Sequence, residues 1–218
     1  RPERLKEARG RAGMVLDSTA DAQGSDAISM QELHEIESEC IRELVKFEED
    51  VGLASITDGE FRRGSWAYDT TARIEGIVLK HQEGVFEAAF VGTGFQPPIA
   101  YTEGKLGRKP GGLVMDEFLF TQSLTDRTVK ITMPSPSLMY VRGGRASVSQ
   151  EIYPDIEEFF EDLMQVYRDE IADLAGAGCT YVQIDNTDAA LICDPKFQEM
   201  SRRQGMEPED HIHLQARL

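Results

Sequence analysis

Cysteine is scarce. Three residues, Cys40, Cys179 and Cys193, among 218 cannot build a framework of bridges, and so few thiols fit a reducing cytoplasm. Positive charge is also short: Lys+Arg is 23 against Asp+Glu 39, a net charge of −16. That excludes a general nucleic-acid-coating role, which needs an excess of cations to meet phosphates. No run of about 18 apolar residues occurs, so no membrane span is expected. Neither G-x-G-x-x-G nor G-x-x-x-x-G-K is present, and Gly92-Thr93-Gly94 is too short for a phosphate loop. No G-x-S-x-G elbow surrounds any serine. The chain opens at Arg1 without an apolar targeting segment and stops at Leu218 inside a helical pattern. It therefore reads as cut at both ends.

What is present is clustered apolar sequence, 40% of the residues, enough for a folded globular chain. Three helix-then-strand units stand out. The first helix starts at Ser29, where Ser29 and Glu32 have capping-box spacing. Leu33, Ile36, Cys40, Leu44, Phe47 and Val51 then recur at intervals of three and four, and Gly52 is a natural stop. The run Leu53–Ile56 follows and ends in Thr57-Asp58-Gly59-Glu60. The second helix, Asp116–Leu124, precedes the run Val129–Met133, which ends in Pro134-Ser135-Pro136-Ser137. In the third, Pro154 suits the first turn, and Ile156, Phe159, Leu163, Val166, Tyr167, Ile171 and Leu174 form the buried stripe. Thr180–Ile184 is its strand, ending in Asp185-Asn186-Thr187-Asp188. The stretch Ser18–Ile28 reads as a loop.

Alternation of this kind predicts an α/β fold with a parallel sheet. Such folds place their sites at the carboxyl ends of the strands. Between the first and second units lies an excursion, Ala72–Lys105. Its runs Arg73–Leu79 and Val85–Val91 predict antiparallel strands at the site face. A closed eight-stranded α/β barrel takes about 250 residues, so this chain holds either an open sheet or part of a barrel.

Chemistry concentrates at the predicted strand ends. In Asp58-Gly59-Glu60-Phe61-Arg62-Arg63, two carboxylates flank a glycine and two arginines follow. A carboxylate there can hold an ammonium group or act as a base, and an arginine can fork onto a substrate carboxylate. The plainer reading is a turn with solvated charge. Asp185, after Gln183-Ile184, reads as a site carboxylate or a helix cap; Glu60 and Asp185 at one end of a sheet favour the site. Lys130–Ser137 is a third segment, its prolines stiffening a turn. Trp66 is either a lid for a flat substrate or a core anchor. Arg62 and Arg63, Lys105, Arg108 and Lys109, and Arg142 and Arg145 make basic groups suited to a small anionic ligand, or are ordinary surface charge. His211-x-His213 lacks Cys or carboxylate partners at ligand spacing and is weak as a metal pair. Cys40 and Cys179 read as core, whereas Cys193 lies nearer the predicted site.

Asp58-Gly59-Glu60-Phe61-Arg62-Arg63 with Trp66, the Lys130–Ser137 segment and Tyr181-Val182-Gln183-Ile184-Asp185, in this order, resemble the cobalamin-independent methionine synthase family, in its shorter single-barrel branch. Arg1-Pro2 before a helix resembles the segment after that family's first strand. The resemblance implies an incomplete (β/α)8 TIM barrel over residues 1–218, truncated at both ends, with the antiparallel β excursion after an early strand. It implies a zinc-dependent methyltransferase that moves a methyl group from a folate-type donor to a thiol such as homocysteine, making methionine. Glu60 and Asp185 are expected to hold the thiol substrate. Asp58, Arg62, Arg63 and Trp66 are expected to shape the mouth, with Thr93 and Gly94 near the folate. Zn2+ is implied by the family alone, its ligands expected beyond Leu218, and no metal ligand or catalytic group is assigned within the chain. The implied partners are a small thiol and a methyl donor, not nucleic acid or membrane, in a cytoplasmic protein; a homo-oligomer stays open. Asn186 stands where methionine synthases carry glutamate, and Leu191 where a folate-contacting carboxylate is found. Two alternatives follow: zinc-dependent alkyl transfer to another thiol such as coenzyme M, or a barrel without catalysis that has lost the zinc site.

Overall fold

A computed structural model describes residues 1–13, 27–80, 98–203 and 205–218. In chain order its elements are α1 (Glu3–Arg11), α2 (Met30–Asp50), β1 (Ser55–Ile56), α3 (Tyr68–Thr71), β2 (Ile74–Lys80), β3 (Ile99–Arg108), α4 (Met115–Gln122), β4 (Thr128–Pro134) and α5 (Leu138–Val141). A 3-10 turn (Gly144–Ser147), α6 (Ile156–Gly176), β5 (Tyr181–Asp185), α7 (Asp188–Leu191), α8 (Pro195–Arg203) and α9 (Pro208–Arg217) follow. Strands β1, β4 and β5 form a parallel sheet with β4 in the centre. This is the α/β arrangement that the three helix-then-strand units predict.

Strand β4 sorts its side chains by period two. Val129, Ile131 and Met133 are buried and pack with Phe118 of α4 and Phe159, Leu163 and Tyr167 of α6. Lys130 and Thr132 point to the opposite face. There Thr132 lies in register with Gln183, and Pro134 with Asp185. One face of the sheet is therefore an apolar floor under helices, and the other is a polar surface rising to the carboxyl ends.

Local chemistry explains the helices. Ser29 and Glu32 form the reciprocal capping box at the start of α2, with Ser29 Oγ accepting from Glu32 N–H at 3.2 Å. The buried face of α2 is rotated from the expected stripe. Phe47 and Val51 are exposed, while Glu37, Ile41, Val45 and Glu48 are buried. The cause is pairing that hydrophobicity cannot reveal: Glu37 meets Arg9 at 2.6 Å, and Glu48 accepts from the Thr57 amide at 2.8 Å. In α6 the expected stripe holds at Phe159, Leu163, Val166, Tyr167 and Leu174, but Ile171 is exposed and Glu170 fully buried. Glu170 accepts from Val114 N–H at 2.8 Å and pairs with Arg108 at 3.0 Å. The cap of α6 is Asp155, which leaves Pro154 just outside the helix. The first strand shrinks to Ser55–Ile56, because Leu53 is exposed and its carbonyl is taken by Arg127 at 2.6 Å.

Strand β2 occupies the first predicted run of the excursion and pairs antiparallel with β3, from Ile74↔Arg108 to Lys80↔Ile99. The second run, Val85–Val91, lies outside the described residues. Among the described residues no helix is long and apolar enough to cross a membrane.

Helices α8 and α9 are joined by a buried polar pin. Ser201 Oγ donates to the Met206 carbonyl at 2.5 Å, so its contact with His211 Nε2 at 2.7 Å requires the imidazole to donate. Nδ1 is then a bare buried acceptor with no hydrogen-bond partner. Burial lowers the His211 pKa, and Asp210 opposes it only in part. As pH falls through about 6.5 the unfolded chain gains a proton that the folded chain refuses, so stability is lost on acidification. Hydrogen-exchange protection factors of α8 and α9, corrected for the intrinsic rate at each pH, are expected to fall between pH 7.5 and pH 5.5, and His211→Gln to flatten that dependence. Equal protection at both pH values would count against the pin.

Candidate functional site

The segment leaving β1 makes a tight turn. Phe61 N–H donates to the Asp58 carbonyl at 3.3 Å, and Asp58 Oδ1 accepts from Glu60 N–H at 2.9 Å. Gly59 and Glu60 both have left-handed backbones, φ 63° and 54°. A Cβ on residue 59 would come within 2.6 Å of Leu44 Cδ2, so the turn needs glycine there. Glu60 lacks that freedom, and the conformation costs about 1–2 kcal/mol. Among the described residues it is the sole non-glycine with positive φ. Strain of this kind collects where a side chain must be aimed.

The surroundings over-determine the turn. Arg1 Nη2 donates to the Arg63 carbonyl at 2.6 Å, and Arg9 Nη2 to the Phe61 carbonyl at 2.6 Å. Helix α1 and Arg1, two positions ahead of it, thus hold the loop by its backbone. Arg63 holds it from the sheet side. Its side chain is 1% exposed; Nε and Nη2 donate to Glu117 Oε2 at 2.9 and 2.6 Å, and Nη2 also donates to the Thr132 carbonyl at 2.7 Å. Burial works against the Arg63 charge, but Glu117, with Asp58 and Glu60, more than reverses it and keeps the guanidinium ionised.

Glu60 reaches over the end of β4. Its Oε1 accepts from Thr132 Oγ1 at 2.8 Å, and its side chain is 27% exposed. Asp185 ends the neighbouring strand. Lys130 Nζ donates to Gln183 Oε1 at 3.2 Å, which turns the Gln183 amide so that Nε2 donates to Asp185 Oδ1 at 2.7 Å. Thr132 and Gln183 are register partners. Glu60 and Asp185 are therefore anchored to the two residues of one rung, Thr132 and Gln183, on one polar sheet face at the carboxyl end of the strands.

The other predicted residues have different surroundings. Asp58 is buried; burial pushes its carboxyl pKa up, countered in part by the Glu60 amide and Arg63. Arg62 faces α2 and α4, its guanidinium 4.2 Å from the Phe120 ring centroid and donating to Ser38 Oγ at 3.1 Å. Trp66 is half-buried against the main core. Thr93 and Gly94 lie outside the described residues. The basic groups do not make a free cationic pocket. Lys105 pairs with Glu158 at 2.5 Å, Arg108 with Glu170 and Asp173, and Arg145 donates to the carbonyls of Val148 and Tyr153. Arg142 donates to the Tyr68 hydroxyl and lies 3.7 Å from Asp188, joining the loops after β1, β4 and β5 beneath the surface.

Thr132 and Glu117 are the residues that sequence reasoning missed. The signal for Thr132 was there: Lys130 and Thr132 alternate with three buried apolar residues, which marks a polar strand face. Nothing local marks Glu117, whose partner is 54 positions away.

No group of three or more His, Cys, Asp or Glu side chains able to hold a metal ion occurs among the described residues. Cys40 and Cys179 are buried in core clusters, Cys193 is exposed, and His211 is spent on Ser201. His213 is exposed on α9, two positions from His211, and the two rings face different sides. The described residues do not fit a zinc site.

Comparison with known proteins adds the family. The chain is 32% identical over 183 residues to the uncharacterized protein YxjH of Bacillus subtilis (strain 168), covering 84% of this chain and 47% of that protein. It is 28% identical over 172 residues to the 5-methyltetrahydropteroyltriglutamate–homocysteine methyltransferase of Thermotoga petrophila, covering 79% of this chain and 21% of that enzyme. The chain thus spans about half, or less, of the curated relatives it matches. Among solved structures, a Listeria monocytogenes protein described as a vitamin-B12 independent methionine synthase superposes with TM-score 0.66 at 26% identity, over 94% of this chain and 56% of that one. Residues 16–201, well over half of the sequence, match the family described as cobalamin-independent synthase, catalytic domain. Sequence and superposition agree: the chain belongs to the cobalamin-independent methionine synthase family.

Proposed function

We propose that this chain is part of a (β/α)8 barrel methyltransferase that binds an amino-acid thiol, homocysteine in the first instance, at the Glu60–Asp185 rim. The observation that carries the reading is the anchoring of both carboxylates to one rung, the register partners Thr132 of β4 and Gln183 of β5. Two carboxylates anchored on one face at the strand ends suit the α-ammonium group of an amino acid, a charge-assisted contact. Arg63 and Asp58 set the turn that aims Glu60, and the Trp66 carbonyl accepts from Arg63 Nη1 at 3.5 Å. Held by its ammonium group, the substrate presents its sulfur to a methyl donor of folate type. The sulfur–carbon bond forms as the donor nitrogen–carbon bond breaks; the thiol gives up a proton and the donor nitrogen gains one. What these residues contribute is orientation. The zinc implied by the family has no ligand set among the described residues, so no step is assigned to it here. Contact of Thr93 and Gly94 with the donor is part of the same proposal.

The second reading, alkyl transfer to a thiol such as coenzyme M, is favoured by Asn186 and Leu191, which depart from the methionine synthase pattern. The two differ in the ligand's charge, because coenzyme M has no ammonium group. Calorimetric titration with L-homocysteine and with coenzyme M separates them. Homocysteine is expected to bind more tightly; tighter binding of coenzyme M would overturn the homocysteine reading.

A further inference from the structure

We infer that Thr132 is a positioning residue for Glu60, its hydroxyl holding the carboxylate out of the arginine beneath it and toward the mouth. The inference rests on the reading of Glu60 as the ammonium receptor. It comes from hydrogen-bond direction, which is forced at every link. A guanidinium has donors only. Arg63 donates through Nη1 to Thr132 Oγ1 at 3.3 Å and through Nη2 to the Thr132 carbonyl at 2.7 Å. The Thr132 hydroxyl therefore accepts from Arg63, and its single proton is given to Glu60 Oε1 at 2.8 Å. Glu117 fixes the far side of the guanidinium through Nε and Nη2. Polarity thus runs one way, from the Glu117–Arg63 pair through Thr132 to Glu60.

The competing arrangement is close at hand. Glu60 Oε2 lies 4.0 Å from Arg63 Nη1, beyond hydrogen-bond reach but within easy rotation of it. Without the threonine hydroxyl, nothing in the network stops Glu60 from folding down onto Arg63 as a direct ion pair. Its negative charge would then be neutralised from below and lost to a ligand above. With Thr132 in place, Oε1 is engaged by the hydroxyl and the carboxylate stays out of hydrogen-bond reach of Arg63, its side chain 27% exposed.

Thr132→Val removes the hydroxyl and keeps the shape; Thr132→Ser keeps the hydroxyl. Affinity is read for L-homocysteine and for 4-mercaptobutanoate, which has the thiol and carboxylate but no ammonium group. Thr132→Val is expected to weaken homocysteine about tenfold or more and to leave 4-mercaptobutanoate within about twofold. Thr132→Ser is expected to restore homocysteine binding, which a purely structural role would not do. A Thr132→Val protein that binds homocysteine like the wild type overturns the inference. A second measurement needs no ligand: a urea-denaturation cycle of Thr132→Val, Glu60→Met and the double variant. The double variant is expected to fall short of the sum of the two single shifts; additive shifts overturn the inference. If wild-type protein binds no homocysteine while the cycle is non-additive, the substrate reading fails and the Thr132–Glu60 link stands. Should Thr132→Val not fold, Thr132→Ala takes its place in both measurements.

Discussion

Arg63→Met is expected to destabilise the protein by about 3–5 kcal/mol, the usual loss when one partner of a buried ion pair is removed. For a chain of this size that is a fall of roughly 6–20 °C in Tm. The guanidinium is almost fully enclosed and serves Glu117, the Thr132 hydroxyl and the Thr132 carbonyl at once. Methionine fills much of the volume but leaves the Glu117 carboxylate buried without its partner. The turn that aims Glu60 loses its anchor to β4 in the same stroke. Removing both charges, in Arg63→Met with Glu117→Met, is expected to recover part of the loss, because two apolar groups replace a stranded charge. Thermal unfolding by circular dichroism checks both. A single variant within about 2 °C of the wild type would show that the pair does not hold the loop.

The second large effect is on recognition. Glu60→Gln and Asp185→Asn are each expected to weaken L-homocysteine binding by about 10- to 100-fold, the range set by a hydrogen bond to a charged group. Neither change should matter for 4-mercaptobutanoate, which brings no ammonium group to the rim. Binding of both ligands is read by calorimetry. Loss of both ligands together would point to collapse of the mouth rather than to ammonium recognition. Equal binding of homocysteine by wild type and variants would remove both carboxylates from the site.

Much of this was legible in the sequence, and the remainder was hidden for identifiable reasons. The capping box at Ser29 and Glu32 and the apolar period of β4 are local signals, and both correspond to structure. The polar clusters after β1 and β5 mark the rim because strand ends in parallel sheets gather there. Charged residues with distant partners were not legible. Glu37, Glu117 and Glu170 are buried because Arg9, Arg63 and Arg108 meet them, 28, 54 and 62 positions away. A hydrophobicity pattern puts such residues outside, which is why Glu37 and Glu48 of α2 and Glu170 of α6 do not belong to the expected stripes. Arg62 and Arg63 looked equivalent as neighbours, yet one caps Phe120 and the other is locked beneath Glu60. Adjacent residues leave the backbone in different directions, and only the turn at Gly59-Glu60 decides which one reaches the sheet.

The most direct test is a crystal structure of the protein with L-homocysteine bound. The amino nitrogen is predicted within hydrogen-bond reach, about 2.7–3.2 Å, of carboxylate oxygens from both Glu60 and Asp185, with Thr132 still donating to Glu60. A ligand that touches one carboxylate alone, or that binds away from the ends of β4 and β5, would contradict the account.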